Sequence, residues 1–557
     1  MSKFKTGPAT KALMILVAVI GLGYGVNKSG YFDKLESEQQ AVTTTTEGVS
    51  TLPAKPSEPV VKQVAASGKT GELGSKSNPL KVSIVSFHGY APGLLANGGL
   101  KTAPGSINER LGVNVEFLLQ DDIPTLPTLY SSNVAHCAWR TTDFWAQEHP
   151  NLRNAKGDGK AVMIVDNTQG GDAIITRDPN IKSVEDLAGK TVALLQFTPS
   201  HGMLIDAIDN SSMTPRKKQS IKTVFINADE GTAGVRAAYE SGKVDAAVIW
   251  DPDLALALRT GGHVVYSTKQ ASNLIFDAIV CNSKVLNDKT GYDVVDKFVD
   301  GWMQGVDAAV TNPDLAVDIL VKNEEMFTLL SKKEGNTFIK SLFANVKWTG
   351  LEENIRILGM GSEANHYERV YKQFDQIYRT EGALANPQSP VINPAESVDY
   401  RFIKNLMSKA PAVVKAAEQP VVTFTQTEMT KVIAQGAAVT KPVIITFNSG
   451  VAELSARAKK QIDIEMVPFI ENNGNAYFEI SGNSDSVGSA AMNLTLSKNR
   501  ANAVVNYLVE QWSFSRNRFN VVGNGSSRPI CNENAGELPL DQCREMNRST
   551  RVAVLGR

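Results

Sequence analysis

The chain has 557 residues, more than one hydrophobic core usually organises, and a domain size of roughly 100–200 residues implies two to four folded units. With 42% hydrophobic and 21% charged residues it reads as ordinary globular protein, and a formal net charge of −1 removes the basic footprint that nucleic acid binding requires. Nucleic acid is therefore not an expected partner.

In chain order, Lys3, Lys5 and Lys11 precede an uncharged apolar run from Ala12 to Asn27. The run is short for a hydrocarbon core of about 30 Å, but flanking lysines can snorkel, and the basic flank sets an N-in orientation. Residues 1–36 are read as a signal-anchor: one inner-membrane span, with the bulk of the chain in the periplasm of a Gram-negative envelope. A cleaved signal peptide is the competing reading, although no small-x-small site follows the run. No cysteine lies near it, which excludes lipoprotein processing. Residues 37–79 are Thr, Ser, Pro and Gly-rich, cannot bury enough apolar area to fold, and form a flexible linker.

From residue 80 to 407, short β-branched runs alternate with helical periodicities, the pattern of an α/β domain. LKVSIVSF (Leu80 to Phe87), AVMIVD (Ala161 to Asp166), DAIIT (Asp172 to Thr176), TVALLQ (Thr191 to Gln196) and VDAAVIW (Val244 to Trp250) read as strands. Val295, Phe298, Val299, Trp302 and Val306 form an apolar stripe of period 3.6 that is core, and Asn312-Pro313 starts the next helix. Residues 408–440 look like a connector with at most one packed strand. Residues 441–557 give a strand and helix in VIITFNSGVAELSARAKKQI, a strand entering a polar loop in YFEISGNSDS, a long helix from about Ser489, and closing strands in FNVVGNG and TRVAVLGR. The fold class is thus α/β throughout the globular part.

The four cysteines divide into two kinds. Cys531 and Cys543 lie twelve positions apart in a Gly/Pro/Asn-rich stretch. A loop-closing disulfide there would stabilise by about 3 kcal/mol in an oxidising compartment, and two free thiols are the alternative. Cys137 and Cys281 sit in apolar surroundings and read as buried free thiols.

The motifs ITFNSGVAELS, SGNSDSVGSAAMNLTLSKNRANAVVNYL, VVGNGSSRPI and NRSTRVAVL occur in an order that resembles the OmpA-like peptidoglycan-binding domain, over residues 441–557. The resemblance implies that Asp485 and Arg500 grip the diaminopimelate of the wall stem peptide, with Ser484 and Asn493 beside them. It also places Cys531 and Cys543 where some relatives carry a loop disulfide. An ammonium and a carboxylate on one ligand call for a fixed anion and a planar, two-pronged cation, which Asp and Arg supply. Asn493 and Arg500 share one helix face, while Ala501, Val504, Val505, Leu508 and Trp512 form the buried one. The family's usual Gly-His-Thr-Asp stands here as Gly482-Asn483-Ser484-Asp485.

SFHGYAPGLLA, IKSVEDLAGKTVALLQFTPSHGML and AAYESGKVDAAVIWDPDLALAL resemble, over residues 80–407, the periplasmic substrate-binding proteins of the nitrate, taurine, aliphatic-sulfonate and thiamine-precursor group. That is a type II two-lobe fold, which holds its ligand between lobes, after strand C-termini. The rule selects Ser86, His88 and Tyr90, then Thr141 and Asp143 in the loop WRTTDFW, then Thr198, Ser200 and His201, and Asp251. The expected partner is a small organic or oxyanion ligand, passed to an ABC permease or reported to the cell.

HExxH, GxSxG, GxxxxGK and paired CxxC motifs are missing from the sequence, so no enzyme, metal or cofactor is expected. The alternatives are a stator-like protein or a structural envelope tether whose central domain docks proteins. A stator would need a carboxylate inside the span, and Ala12 to Asn27 has none.

Overall fold

The computed structural model describes residues 49–50, 71–122, 125–154, 157–361, 364–384, 386–416, 422–445, 447, 451–536 and 538–556. The segment read as a membrane anchor, and most of the linker, lie outside them. Among the described residues no helix is long and apolar enough to cross a membrane.

Two sheets build the central unit. The first holds β1 (Leu80–Ile84), β2 (Val115–Leu119), β3 (Cys137–Thr141), β4 (Gly159–Thr168), β10 (Phe276–Asn282) and β11 (Val346–Trp348), in the order β11-β4-β10-β3-β1-β2. In the second, β5 (Asp172–Thr176), β6 (Thr191–Leu195), β7 (Lys222–Ile226), β8 (Ala246–Trp250) and β9 (His263–Ser267) run β7-β6-β8-β5-β9. Most of these strands are apolar on both faces, as sheets covered by helices on both sides require. Helix α1 (Ala91–Asn97) follows β1, α2 (Thr142–Asn154) follows β3, and α3 (Pro199–Asp209) and α4 (Gly231–Glu240) follow β6 and β7. The long α5 (Lys289–Thr311) starts at Asp288, whose carboxylate accepts from the Gly291 amide at 2.9 Å. Its stripe of Val295, Phe298, Val299, Trp302 and Val306 is buried as the periodicity predicts. Each such side chain contributes about 1.5–3 kcal/mol of burial. Gly93 of α1 lets the Trp302 ring lie flat against the helix, since a Cβ there would meet that ring at 2.2 Å.

The chain passes between the sheets at residues 168–172 and again at 267–276. These crossings are stitched together. The Thr268 hydroxyl accepts from the amides of Gly170 (2.9 Å) and Asp172 (3.2 Å), and the Asn345 carbonyl accepts from those of Gln169 (2.8 Å) and Gly171 (3.0 Å).

Several expectations need correcting. Cys137 and Cys281 are buried but not free: they form a disulfide across β3 and β10, where they stand opposite one another. The stretch Trp139 to Trp145 is not a loop but the end of β3 and the first turn of α2. The connector is largely structured. Helix α6 (Arg401–Lys409) still packs on the central unit and runs into the connector, while α7 (Gln426–Gln435) and β12 (Val439–Val443) already belong to the C-terminal one.

There, β12, β13 (Phe478–Asn483), β14 (Phe519–Gly525) and β15 (Thr550–Val554) form a sheet in the order β12-β15-β13-β14. Helix α8 (Ala490–Trp512) covers it, starting at Ser489, whose hydroxyl caps the Met492 amide. Ala501, Val504, Val505 and Leu508 are buried as expected, but Trp512 is 37% exposed and donates its indole N–H to Asp463. The Cys531–Cys543 disulfide is present.

This domain docks on the central unit. Tyr266 donates to Asn473 Oδ1 at 2.8 Å, the Asn273 amide to the Asn472 carbonyl at 3.0 Å, and Lys441 to Asn210 at 2.6 Å. Arg369 pairs with Glu471 at 3.1 Å, and the Val184 amide meets the Ala438 carbonyl at 2.8 Å.

Candidate functional site

A cleft of about 390 Å³ opens where the two sheets face each other across the crossings. Strand alternation explains its inner wall: Asp277 stands opposite Thr141 on β3 and Asp166 on β4, so the three side chains project from one face of adjacent strands. Trp139 lies two residues before Thr141 and shares that face. From the second sheet, Asp172 stands opposite Trp250.

Of the nine residues selected from sequence, the structure brings Ser86, Tyr90 and Thr141 to the cleft. The Ser86 hydroxyl donates to Asp121 at 2.9 Å and the Tyr90 hydroxyl to Asp277 at 3.2 Å. The Thr141 hydroxyl is buried and hydrogen-bonds the Asp143 carboxyl.

The other six do not line it. His88 turns into the core, stacks on Phe343 and is held neutral by burial, its pKa pushed down to about 3. Asp143 is buried in the first turn of α2, and desolvation raises its carboxyl to about 6. Thr198 caps backwards onto the Leu195 carbonyl at 2.8 Å. Ser200 is buried in the first turn of α3, and the His201 ring accepts the Phe197 amide at 3.3 Å and packs edge-on against Phe225. Asp251 follows β8 and is tied to the first crossing: its amide donates to the Gly171 carbonyl at 2.9 Å, its carboxylate accepts from Asn345 at 2.7 Å, and burial raises it to about 7.

Sequence reasoning missed Asp172, Asp277, Trp250 and Thr168, all in the cleft wall, whereas Trp139, at the head of the aromatic-rich stretch WRTTDFW, lies there as that stretch suggests. A signal for the two aspartates exists. DAIIT opens on its aspartate directly after one crossing and FDAIVCN carries Asp277 at its second position after the other; both are buried apolar strands, and a carboxylate near the head of such a strand has no structural need to be there. Burial first, then the surrounding carboxylates, pushes Asp172 well above the usual range and Asp277 up to about 7. Asp166 behind them is raised likewise, and Gly89 makes room for it: a Cβ there would lie 2.1 Å from its carboxylate.

In the C-terminal domain, Asp485 follows β13 in the loop before α8. It is buried, accepts the Val487 amide at 3.1 Å and pairs with Arg548 at 2.7 Å, a residue sequence reasoning did not single out. The Ser484 hydroxyl is buried without a hydrogen-bonding partner among the described residues. Asn493 ties the loop to the helix by donating to the Val487 carbonyl at 2.9 Å. Arg500 is half-buried, its Nε donating to the Val451 carbonyl at 3.2 Å and its guanidinium lying 4.8 Å over the Phe447 ring. Gly482 permits the close helix, since a Cβ there would meet the Ser497 carbonyl at 1.9 Å. Among the described residues no group of three or more His, Cys, Asp or Glu side chains is arranged to hold a metal ion.

Two family models match the chain: the OmpA family over residues 446–538, and the NMT1/THI5 like family over residues 133–316. An Escherichia coli (strain K12) protein named for aliphatic sulfonates binding is 34% identical over 89 residues, which are 16% of this chain and 26% of that one. Outer membrane porin F of Pseudomonas aeruginosa is 43% identical over 58 residues, 10% of this chain and 17% of the porin. The chain thus spans about a quarter or less of these two relatives. Among solved structures, the periplasmic aliphatic sulphonate binding protein of Escherichia coli aligns at a TM-score of 0.44 and 14% identity, covering 60% of this chain and all of that one. The desulfurization enzyme DSZB aligns at 0.41 and 14% identity, covering 59% of this chain and 99% of the enzyme. The chain therefore carries an NMT1/THI5-like substrate-binding domain at residues 133–316 and an OmpA family domain at residues 446–538.

Proposed function

We propose that this protein is a cell-envelope receptor: its central unit closes on a small solute, and its C-terminal domain holds it on peptidoglycan through the diaminopimelate stem peptide. The observation that carries the receptor reading is the cleft itself. It sits at two stitched crossings, where lobes can rotate, and its wall is a concave set of buried polar and aromatic groups, with Thr168 and Trp139 hydrogen-bonded to the carboxyls of Asp172 and Asp277. A pocket between lobes, lined by aromatic rings and a few convergent polar groups, supports a small ligand. In the wall-binding half of the proposal, Asp485 takes the ligand ammonium and Arg500 its carboxylate, with Ser484 and Asn493 shaping the loop. Nothing in either site calls for catalysis, and the reading is of a binding protein. The N-terminal segment is the proposed inner-membrane anchor and an ABC permease the proposed recipient.

Two measurements on the full chain test this. A specific ligand at 100 times its dissociation constant stabilises the folded state by about 2.7 kcal/mol, so a solute screen read by thermal shift identifies it. Co-sedimentation with purified peptidoglycan reports the other half. A chain that pellets with the wall yet shifts with no solute is a structural tether, and the receptor reading is then wrong.

A further inference from the structure

Resting on the receptor reading, we infer that the cleft is built for a small organic cation, a protonated or quaternary amine, and not for an anion such as a sulfonate. The charge of the wall carries this. Asp172 and Asp277 lie deepest, Asp229, Glu230 and Asp253 rim the start of α4, and Asp121 and Asp122 face them from the first lobe. No lysine, arginine or histidine lines the cleft among the described residues.

Three of the rim acids are already engaged. Asp253 pairs with Arg236 at 2.7 Å, Asp121 accepts the Ser86 amide at 2.7 Å, and Glu230 accepts from Asn227 at 2.9 Å. The deep ones have no cation. Their partners are neutral or acidic: Trp139 and Tyr90 donate to Asp277 and Thr168 to Asp172, and the other groups around them are carboxyls, among them Asp166 and Asp143. Burying carboxylates together without counter-charge is costly, and a ligand that brings the counter-charge recovers that cost on binding. A sulfonate, which stays ionised at any physiological pH, brings no counter-charge to these carboxyls and could enter only while they stay protonated.

The aromatic groups point the same way. Trp139, Trp250, Tyr90 and Phe87 line the same cleft, with the Tyr90 ring edge-on to Trp139 at 6.3 Å and to Phe87 at 5.8 Å. Ring faces beside carboxylates attract ammonium groups. One feature favours anions, the helix N-termini of α3 and α4 at the cleft. At α4 that field is met by the protein's own Asp229, Glu230 and Asp253. At α3 it is limited to a single turn, whose amides at His201 and Gly202 are spent on the Thr198 carbonyl.

The test is calorimetric titration of the full chain in mild detergent with primary amines, diamines and quaternary ammonium salts, each matched to the alkane- or arylsulfonate of the same carbon skeleton. At least one cation is expected to bind, its matched sulfonate at least a hundredfold more weakly. Asp172→Asn and Asp277→Asn should each lower the cation's affinity at least tenfold, with melting checked to show that both fold. Asn keeps the shape and neutral character of the protonated acid, so folding is expected to survive. Should only sulfonates bind, or should the cation bind both Asn variants as it binds the parent, the cation inference fails while the receptor reading stands. If no compound of either charge binds, both fail.

Discussion

The cleft and the loop ahead of α8 both bury aspartates, and they treat them in opposite ways. Asp485 has Arg548 at 2.7 Å, so its charge is neutralised before any ligand arrives. Asp277, Asp172 and Asp166 have no such partner, and desolvation drives each of them toward the protonated form. A paired carboxylate is a fixed, oriented acceptor whose ligand must compete with an existing cation. An unpaired one is held in a costly state that the right ligand relieves. The first arrangement suits a permanent hold on an abundant polymer, the second a solute that comes and goes.

Each region also has a disulfide beneath it, and removing those gives the largest expected effect. Cys137–Cys281 closes a separation of 144 residues and Cys531–Cys543 one of 12. On the chain-entropy model the first contributes about 5 kcal/mol and the second about 3 kcal/mol. The double variant Cys137→Ser/Cys281→Ser should therefore unfold at a clearly lower denaturant concentration than Cys531→Ser/Cys543→Ser. Equal losses would show that the longer loop gives the cleft no advantage.

The unpaired acids predict an unusual pH dependence. The Asp277 carboxyl titrates at about 7 in the folded protein, against about 3.9 when unfolded. Between those values the folded state holds a proton that the unfolded state has lost, so this group's contribution to stability falls as pH rises from about 4 to about 7. Asp166, Asp172 and Asp143 act in the same direction. Asp277→Asn removes one such term, and its melting temperature should exceed the parent's at pH 8, by a gap worth on the order of a few kcal/mol, and approach it at pH 5. A gap that does not change with pH would mean Asp277 is already neutralised, and the contrast with Asp485 would collapse.

On the paired side, Asp485→Ala should lower peptidoglycan co-sedimentation more than tenfold, because the stem-peptide ammonium and Arg548 both lose their counter-charge. Retention of parental binding in a folded variant would remove Asp485 from the wall site.

Much of the frame was legible in the sequence. DAIIT and FNVVGNG became β5 and β14 residue for residue, and the stripe on α5 and the buried face of α8 followed from periodicity, Trp512 apart. Local pattern carries such elements because each residue's environment is set by its own neighbours in the chain. What sequence did not reveal was set at long range. Cys137 meets Cys281 only because β3 and β10 pair, and Arg548 reaches Asp485 from 63 positions away. His88 looked like a ligand residue at a strand end, but a tight turn directs its ring inward while Tyr90 takes the cleft. Asp172 read only as the first residue of the strand DAIIT and Asp277 lay outside every element read from the sequence; the two crossings place both in one wall.

The smallest effect sharpens the contrast on the paired side. Among the contacts that orient Arg500 are the Val451 carbonyl at 3.2 Å and the Phe447 ring 4.8 Å from its guanidinium. A half-exposed cation over an aromatic face gains about 0.5–1 kcal/mol. Phe447→Leu keeps an apolar side chain of similar size but removes the ring, so Arg500 keeps its charge and loses part of its orientation. Wall affinity should fall two- to fivefold, less than for Asp485→Ala, and the loss should shrink at low ionic strength, where long-range attraction does more of the holding. Arg500→Lys should fall further than Phe447→Leu, since an ammonium supplies neither the forked contact nor the planar stacking. If Phe447→Leu binds the wall as the parent does while Arg500→Lys does not, the Phe447 ring is not what positions Arg500. Should Arg500→Lys also bind normally, only a positive charge is needed there, and the stem-peptide carboxylate is gripped elsewhere.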